Sequence, residues 1–245
     1  MKISIITVCF NSSKTIEKTL QSILSQTYNN IEYIVVDGGS FDSTLEILKK
    51  YTKIISKLIS EPDKGLYDAL NKGIKSATGD IVGILNSDDI FNDEKVIENI
   101  AYFHNNNNIE VSLGNIIQIT DSGKITRKYS AKNWSPNKLK NGFMPPHPSI
   151  FIKRKLFEEH GYYHLDFVSG ADYELIVRFF LKNNISWKFS NITTTVMLIG
   201  GISTSGLSSY MLISKEICKA LKKNEIKYNR LMVYFRGFWK LTGIY

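Results

Sequence analysis

Polar side chains with catalytic potential recur in this chain directly after short apolar runs. Asn11 follows residues 3–8, Asp37 follows 31–36, Asp63 follows 57–60, and Asn86-Ser87-Asp88-Asp89 follows 81–85. Adjacent carboxylates next to a buried run repel one another and lose hydration, so holding them together is costly unless a cation neutralises them. Mg²⁺ or Mn²⁺ bound by one or two carboxylates completes its shell with water and phosphate oxygens, which suits a ligand bearing a diphosphate. The same pair also suits the first turn of a following helix, where the dipole favours negative charge.

These residues meet only if the runs before them are strands of one sheet. Residues 3–8 are β-branched and apolar, and 13–26 put Ile16, Leu20, Ile23 and Leu24 on one helical face. A second strand at 31–36 leads to a helix capped by Asp42 or Ser43 and carrying Leu45 and Leu48. A short strand at 57–60 precedes a helix with Leu66, Ala69, Leu70 and Ile74, and the strand 81–85 follows. Repeated strand–helix units predict an α/β fold with a parallel sheet covered by helices on both faces. In such sheets ligands bind beyond the carboxyl ends of the strands, which gathers the polar residues above into one crevice. From about residue 110 the pattern changes: 111–120 and 124–129 flank Asp121-Ser122-Gly123, a hairpin signature that makes the sheet mixed. Pro145-Pro146-His147-Pro148 is a stiff loop before a strand at 149–152, and a helix is expected from about 171 to 181.

A chain of 245 residues, 43% hydrophobic, buries a substantial core. No apolar run approaches the roughly 20 residues that cross a bilayer, and the N-terminus lacks a signal-peptide layout, so a cytoplasmic location is expected. Cys9 and Cys218 lie far apart without metal-ligand spacing, which fits a reducing compartment. Net charge is +8, and residues 211–245 hold eight basic against two acidic side chains, interleaved with Tyr234, Phe235, Phe238, Trp239 and Tyr245. Such a tail suits the inner face of an anionic membrane, or else packs its aromatics on the main body. No nucleic-acid-binding module accompanies the charge, and no nucleic-acid partner is expected.

Five motifs in order resemble family 2 glycosyltransferases of the GT-A fold. They are Thr7-Val8-Cys9-Phe10-Asn11, the stretch from Val36-Asp37-Gly38-Gly39-Ser40 to Thr44, the stretch from Glu61-Pro62-Asp63-Lys64-Gly65 to Gly73, Asn86-Ser87-Asp88-Asp89, and Gly170-Ala171-Asp172-Tyr173-Glu174-Leu175. The resemblance implies a Rossmann-like three-layer sandwich with a mainly parallel mixed sheet over residues 1–205, with a donor half at 1–105 and an acceptor half at 106–205. A basic helical segment at 206–245 follows.

By this resemblance Thr7, Asn11, Asp37 and Ser40 line the nucleotide pocket, with Asp37 accepting a hydrogen bond from uracil. Asp63, Gly65 and Lys72 run along the nucleotide and its sugar, with Asn86 at the same pocket. Asp88 contacts ribose or metal, and Asp89 coordinates Mn²⁺ or Mg²⁺. Asp172 is the base that deprotonates the acceptor hydroxyl, placed at a helix N-terminus that favours its ionised form, and Glu174 is the fallback. His147 reaches metal or donor sugar, or is simply a turn residue, and Ser203 and Thr204 sit in a glycine-rich segment resembling a lid. The implied reaction is inverting transfer from a UDP-sugar to a lipid-linked saccharide in O-antigen or capsule assembly. A sugar nucleotidyltransferase would want a glycine-rich basic loop where Asn11-Ser12-Ser13 stands, and a dinucleotide oxidoreductase would want Gly-x-Gly-x-x-Gly there. A non-catalytic membrane adaptor of the same fold is the remaining alternative.

Overall fold

Strict alternation of side chains in the first two strands decides the layering. In β1 (Ile3–Cys9) and β2 (Ile31–Asp37), Ile3, Ile5, Tyr33 and Val35 face one side of the sheet, while Ile6, Val8, Ile34 and Val36 face the other. In the computed structural model, which describes residues 1–120, 122–198 and 206–241, the first face is covered by α1 (Ile16–Leu24) and α4 (Val96–Asn105). The second face is covered by α3 (Leu66–Ser76) through Ala69, Leu70 and Ile74. Gly73 makes this close packing possible, because a Cβ there would stand 2.5 Å from Ile6 Cγ2.

β3 (Lys57–Ser60), β2, β1 and β4 (Ile81–Ile84) run parallel in that order. The strand order therefore reverses between β1 and β4, the point at which such sheets open a crevice. Beyond β4 the sheet is mixed. Antiparallel β8 (Ile150–Lys153) joins β4 to β6 (Val111–Ile119), and the long β9 (Trp187–Leu198) runs parallel to β6. β5 (Asp89–Phe91) closes that edge against β9, and β7 (Ile125–Ser130) forms the expected hairpin with β6. The other helices are α2 (Thr44–Lys50), α5 (Lys155–His160), α6 (Ala171–Val177), α7 (Gly206–Lys223), α8 (Arg230–Tyr234) and α9 (Arg236–Leu241).

Three local expectations change. Asp88-Asp89 does not open a helix: Asp89 begins β5, paired with Met197. The expected helix over 171–181 is α-helical only to Val177 and then widens into a π turn at Arg178–Lys182. The Arg178 guanidinium there donates to the carbonyls of His160, Gly161 and Tyr162, pinning the loop after α5. The strand expected from 149 begins at Ile150, after a 3-10 turn over His147–Ser149.

The C-terminal helices join the core. Ile217, Ala220, Leu221 and Val233 are buried in the same apolar cluster as α6. Of the tail's basic residues, Lys219 and Lys223 pair with Asp166 at 3.1 and 3.0 Å, and Arg236 is buried against Ser214. Among the described residues no helix is long and apolar enough to cross a membrane.

One partly exposed ion pair locks the start of the sheet. Glu32 accepts from Lys2 Nζ at 2.8 Å, Ser4 Oγ at 2.6 Å and the Thr78 backbone at 2.7 Å. Burial alone would raise its pKa, but these donors outweigh burial and hold it down at about 2. A depressed carboxyl stabilises the fold above its unfolded value of 4.5, and that contribution fades as pH falls towards 2. Glu32→Gln should therefore cost about 2 kcal/mol at neutral pH and flatten the acid limb of stability, as measured by denaturant unfolding at several pH values.

Candidate active site

The loops at the carboxyl ends of β1, β2 and β4 are laced together. Asn11, held at φ 50°, accepts from the Phe41 backbone through Oδ1, while its own N–H donates to Ser40 Oγ at 2.8 Å. Ser12 N donates to Thr44 Oγ1, Ser13 N to Asp42 Oδ2, and the hydroxyls of Ser12 and Ser87 lie 3.0 Å apart across the β1/β4 opening.

Two residues expected in the nucleotide pocket sit beneath it instead. Thr7 is wholly buried, donating to the Leu85 carbonyl and accepting from Tyr33 Oη. Asp37 is also wholly buried, and both its oxygens are engaged by the Gly39 and Ser40 backbone and the Ser40 and Ser60 hydroxyls. These bonds fold the turn after β2, and the expected contact to uracil would require Asp37 to exchange one of them.

Asp63 occupies the space above this turn. A Cβ on Gly38 would fall 2.4 Å from Asp63 Oδ2 and 3.5 Å from the Phe10 ring. Asp63 Oδ1 accepts from Gly65 N at 2.7 Å, and Gly65, at φ 104°, adopts a backbone region strained for any side chain as it starts α3. Lys72 braces the same loop through Glu61 Oε1 and the Pro62 carbonyl. Phe10 and Phe41, both exposed, meet edge to face at 5.9 Å beside this space. The sequence reading missed this aromatic pair, although two phenylalanines flanking polar turns were its visible signal.

Asp88 is exposed and Asp89 buried. Burial first, then the charge of Asp88, pushes the Asp89 carboxyl up to about 7 against the opposing hydrogen bond from the Asn86 amide at 3.0 Å. Among the described residues there is no cluster of three or more metal-ligating side chains. An ion held here would need water and ligand oxygens to complete its shell, and the oxygen-only pair would suit Mg²⁺ or Mn²⁺.

Asp172 lies in the first turn of α6. Its Oδ1 accepts from Tyr173 N at 2.7 Å and from Tyr67 Oη at 3.4 Å. Burial raises its pKa, opposed by His147, by the Tyr173 backbone and by Tyr67. The expected stabilisation of the ionised form by the helix dipole is thus outweighed by desolvation. His147 faces this carboxyl, its Nε2 is 2.9 Å from Tyr163 Oη, and burial lowers its pKa so that it stays neutral. Glu174 turns away into a buried contact with Arg178 and Asn224. Asn71, a second residue missed from sequence, exchanges both side-chain hydrogen bonds with the Tyr163 backbone, and Tyr67 stacks on Tyr163 at 5.6 Å. A buried asparagine four residues after Tyr67, on the otherwise apolar face of α3, was its signal. Ser203 and Thr204 lie outside the described residues.

The sequence profile described as Glycosyl transferase family 2 matches residues 4–164, well over half of the chain. The chain belongs to glycosyltransferase family 2. It is 32% identical over 183 residues to an uncharacterised glycosyltransferase of Mycobacterium tuberculosis, covering 72% of this chain and 68% of that one. It is 30% identical over 185 residues to the Escherichia coli UDP-Glc:alpha-D-GlcNAc-diphosphoundecaprenol beta-1,3-glucosyltransferase WfgD, covering 75% and 72% respectively. S. aureus TarS, solved with UDP-GlcNAc, superposes with a TM-score of 0.70 at 22% identity, covering 88% of this chain and 66% of that one. The mannosyltransferase PcManGT from Pyrobaculum calidifontis, solved with GDP-Man and Mn²⁺, gives a TM-score of 0.65 at 18% identity, covering 91% and 63%. This family 2 glycosyltransferase therefore has the GT-A fold, with its polar loops at the strand ends of that sheet.

The Asp89 shift has a measurable consequence. A carboxyl whose folded pKa of about 7 exceeds the ordinary 3.8 favours folding below 3.8, and that contribution is lost as pH rises through 7. Metal-free protein should lose about 4 kcal/mol over that window relative to Asp89→Asn, and Mn²⁺ with UDP should recover it above pH 7. Parallel pH–stability curves for the two proteins would sink this account.

Proposed function

We propose that the chain is an inverting, Mn²⁺- or Mg²⁺-dependent transferase of a hexose or N-acetylhexosamine. Its donor is a UDP-sugar and its acceptor is a hydroxyl on a saccharide carried by undecaprenyl diphosphate, as in O-antigen or capsule assembly. The observation that carries the reading is Asp172, a half-buried carboxyl facing His147 and joined to the donor-side helix α3 through Tyr67. WfgD, by its name a β-1,3-glucosyltransferase using UDP-Glc and a diphosphoundecaprenol-linked sugar, supports both the donor and the acceptor class. The β linkage in that name is compatible with inversion.

In this reading residues 1–105 hold the donor and 106–205 the acceptor. Phe10 and Phe41 offer the base a stacking wall, and Asp63, rather than the enclosed Asp37, accepts the uracil N–H above Gly38. Asp88 and Asp89 hold the cation, which when bound offsets the charge of the departing diphosphate. The acceptor hydroxyl attacks the anomeric carbon from the face opposite the diphosphate. Its oxygen forms the new C–O bond, the old C–O bond to phosphate breaks with its electron pair leaving on UDP, and the hydroxyl proton passes to Asp172. Tyr67 and the Tyr173 backbone, both bonded to Oδ1, fix the carboxylate's orientation.

Residues 206–245 brace the acceptor half and also meet the inner face of the cytoplasmic membrane. Leu231, Phe235 and Phe238 recur at helical spacing and are each about two-thirds exposed, with Lys227 and Arg230 beside them.

Asp172→Asn should bind UDP-sugar with a KM within about twofold of wild type and lose about 10³-fold in kcat, read as acceptor-dependent UDP release with Mn²⁺ present. Because burial raises the Asp172 pKa, the acid limb of wild-type kcat should lie above the ordinary aspartate range. Full turnover by the asparagine variant would remove Asp172 from the mechanism. Leu231→Asp with Phe235→Asp should weaken co-sedimentation with phosphatidylglycerol vesicles about tenfold, and unchanged binding would refute the membrane contact.

A further inference from the structure

Nine basic residues and no acidic one occur between Ser122 and Phe157. The structure folds part of this stretch around a cavity of about 370 Å³ between β7 and the segment that follows it. Arg127, Lys128, Lys132 and Lys138 line it together with Tyr129 and Trp134, and no carboxylate is among the lining residues. Arg127, Lys128 and Lys132 make no ion pair among the described residues, and the Arg127 guanidinium lies over the Tyr129 ring at 4.5 Å. Gathering like charges round a concave surface is unfavourable on its own, and it raises the local concentration of anions.

The aromatic walls of the cavity are fixed by packing and hydrogen bonds. Trp134 is buried and packed edge to face against Phe180 and Trp187 at 5.3 and 5.2 Å, and its Nε1 donates to the Phe143 carbonyl at 3.1 Å. Tyr129 Oη donates to the Met144 carbonyl. The cavity is tied to the proposed base at two places. Tyr173, the neighbour of Asp172, donates its hydroxyl to the Leu139 carbonyl in the turn that carries Lys138. Met144, in the cavity wall, is three peptide units from His147, at most about 11 Å along the backbone. The cationic hollow and Asp172 are thus linked through short segments of the same fold.

We infer that this cavity binds the phosphoryl groups of the acceptor, so that the enzyme recognises a saccharide diphosphate rather than a saccharide alone. The inference rests on the acceptor class proposed above and names the residues that read it. Lysine and arginine side chains at a rigid aromatic wall hold phosphate oxygens through charge-assisted hydrogen bonds, leaving the sugar to be positioned by α3 and α6.

The test has a binding arm and a kinetic arm. Inorganic pyrophosphate titrated calorimetrically into metal-free protein saturated with UDP should bind about tenfold more weakly to Lys128→Glu/Lys132→Glu than to wild type. In the kinetic arm, a short-chain alkyl diphosphate-linked saccharide is compared with the same saccharide as a neutral alkyl glycoside. The wild-type preference in kcat/KM for the diphosphate form should fall about tenfold in the double variant. Lys49→Glu/Lys50→Glu, the same charge change on exposed α2, should keep that preference. Pyrophosphate binding unaffected by the pocket reversal overturns the site whatever the acceptor is. A wild type indifferent to the diphosphate, while the reversal still abolishes pyrophosphate binding, overturns the acceptor assignment and with it the acceptor class proposed above. Loss of binding to phosphatidylglycerol vesicles with an unchanged acceptor preference assigns the cavity to lipid headgroups and overturns the inference, as does a raised KM for the UDP-sugar alone.

Discussion

The architecture is constrained by two carboxyl groups, Asp89 and Asp172, whose pKa values desolvation raises and to which no cationic side chain is bonded among the described residues. A buried carboxyl of this kind costs stability unless its environment supplies a charge when it is needed. The fold bears that cost at the strand ends and offsets it elsewhere. Glu32 at the opposite end of β1 is fully paired, and Glu174, two residues from Asp172, has a bidentate arginine and an asparagine. Satisfied acids hold the scaffold and strained ones mark the site, a division expected where pKa values must be displaced for chemistry.

Helix α3 relates the two ends of the site. Its start is fixed by Gly65 and Asp63 beside the second-strand turn, its Gly73 seats it on β1, and its Tyr67 and Asn71 reach Asp172 and the Tyr163 backbone. A single rigid element therefore sets the distance between the donor loops and the proposed base. Loop-borne residues would hold such a distance poorly, and small displacements of reacting groups carry large rate penalties. Glu216 on α7 extends the scheme, because its carboxylate takes the Val168 and Ser169 N–H groups immediately before α6. The C-terminal segment thus contributes directly to the surroundings of Asp172.

What could be read in the sequence was what depends on local periodicity. β1 to β4, α1 to α3 and the β6–β7 hairpin announce themselves by alternation, helical spacing and turn residues, and the family motifs lie where those elements end. β9 did not, since Thr193, Thr194 and Thr195 interrupt its apolar pattern and earn their place by bonding the Pro148 carbonyl and pairing with β5 and β6. β5 is three residues long and exists only because β9 is beside it. Within the site, Asp63, Asp88, Asp89 and Asp172 could be named from motifs, but whether a named residue faces a ligand depends on tertiary burial. Thr7 and Asp37 show the difference. Each follows the motif, and each is enclosed because a neighbouring strand or turn supplies all of its hydrogen-bond partners.

Charge was the least legible property, because composition counts residues and not their partners. The C-terminal segment has the obvious basic excess, yet Lys219, Lys223 and Arg236 are committed to contacts inside the fold. The stretch after the hairpin, overlooked beside that tail, keeps its cations around a hollow with aromatic walls. Arg154 and Lys155, further along the same stretch, pair with Glu158 and Glu110, whereas Arg127, Lys128 and Lys132 at the hollow pair with no acid among the described residues. The two ends of the proposed reaction thus carry opposite local charge, carboxylates where a cation and nucleotide belong and cations where the acceptor's phosphates belong. A substrate carrying phosphate on both reacting partners needs that separation, since a single basic cleft would bind either one in either place.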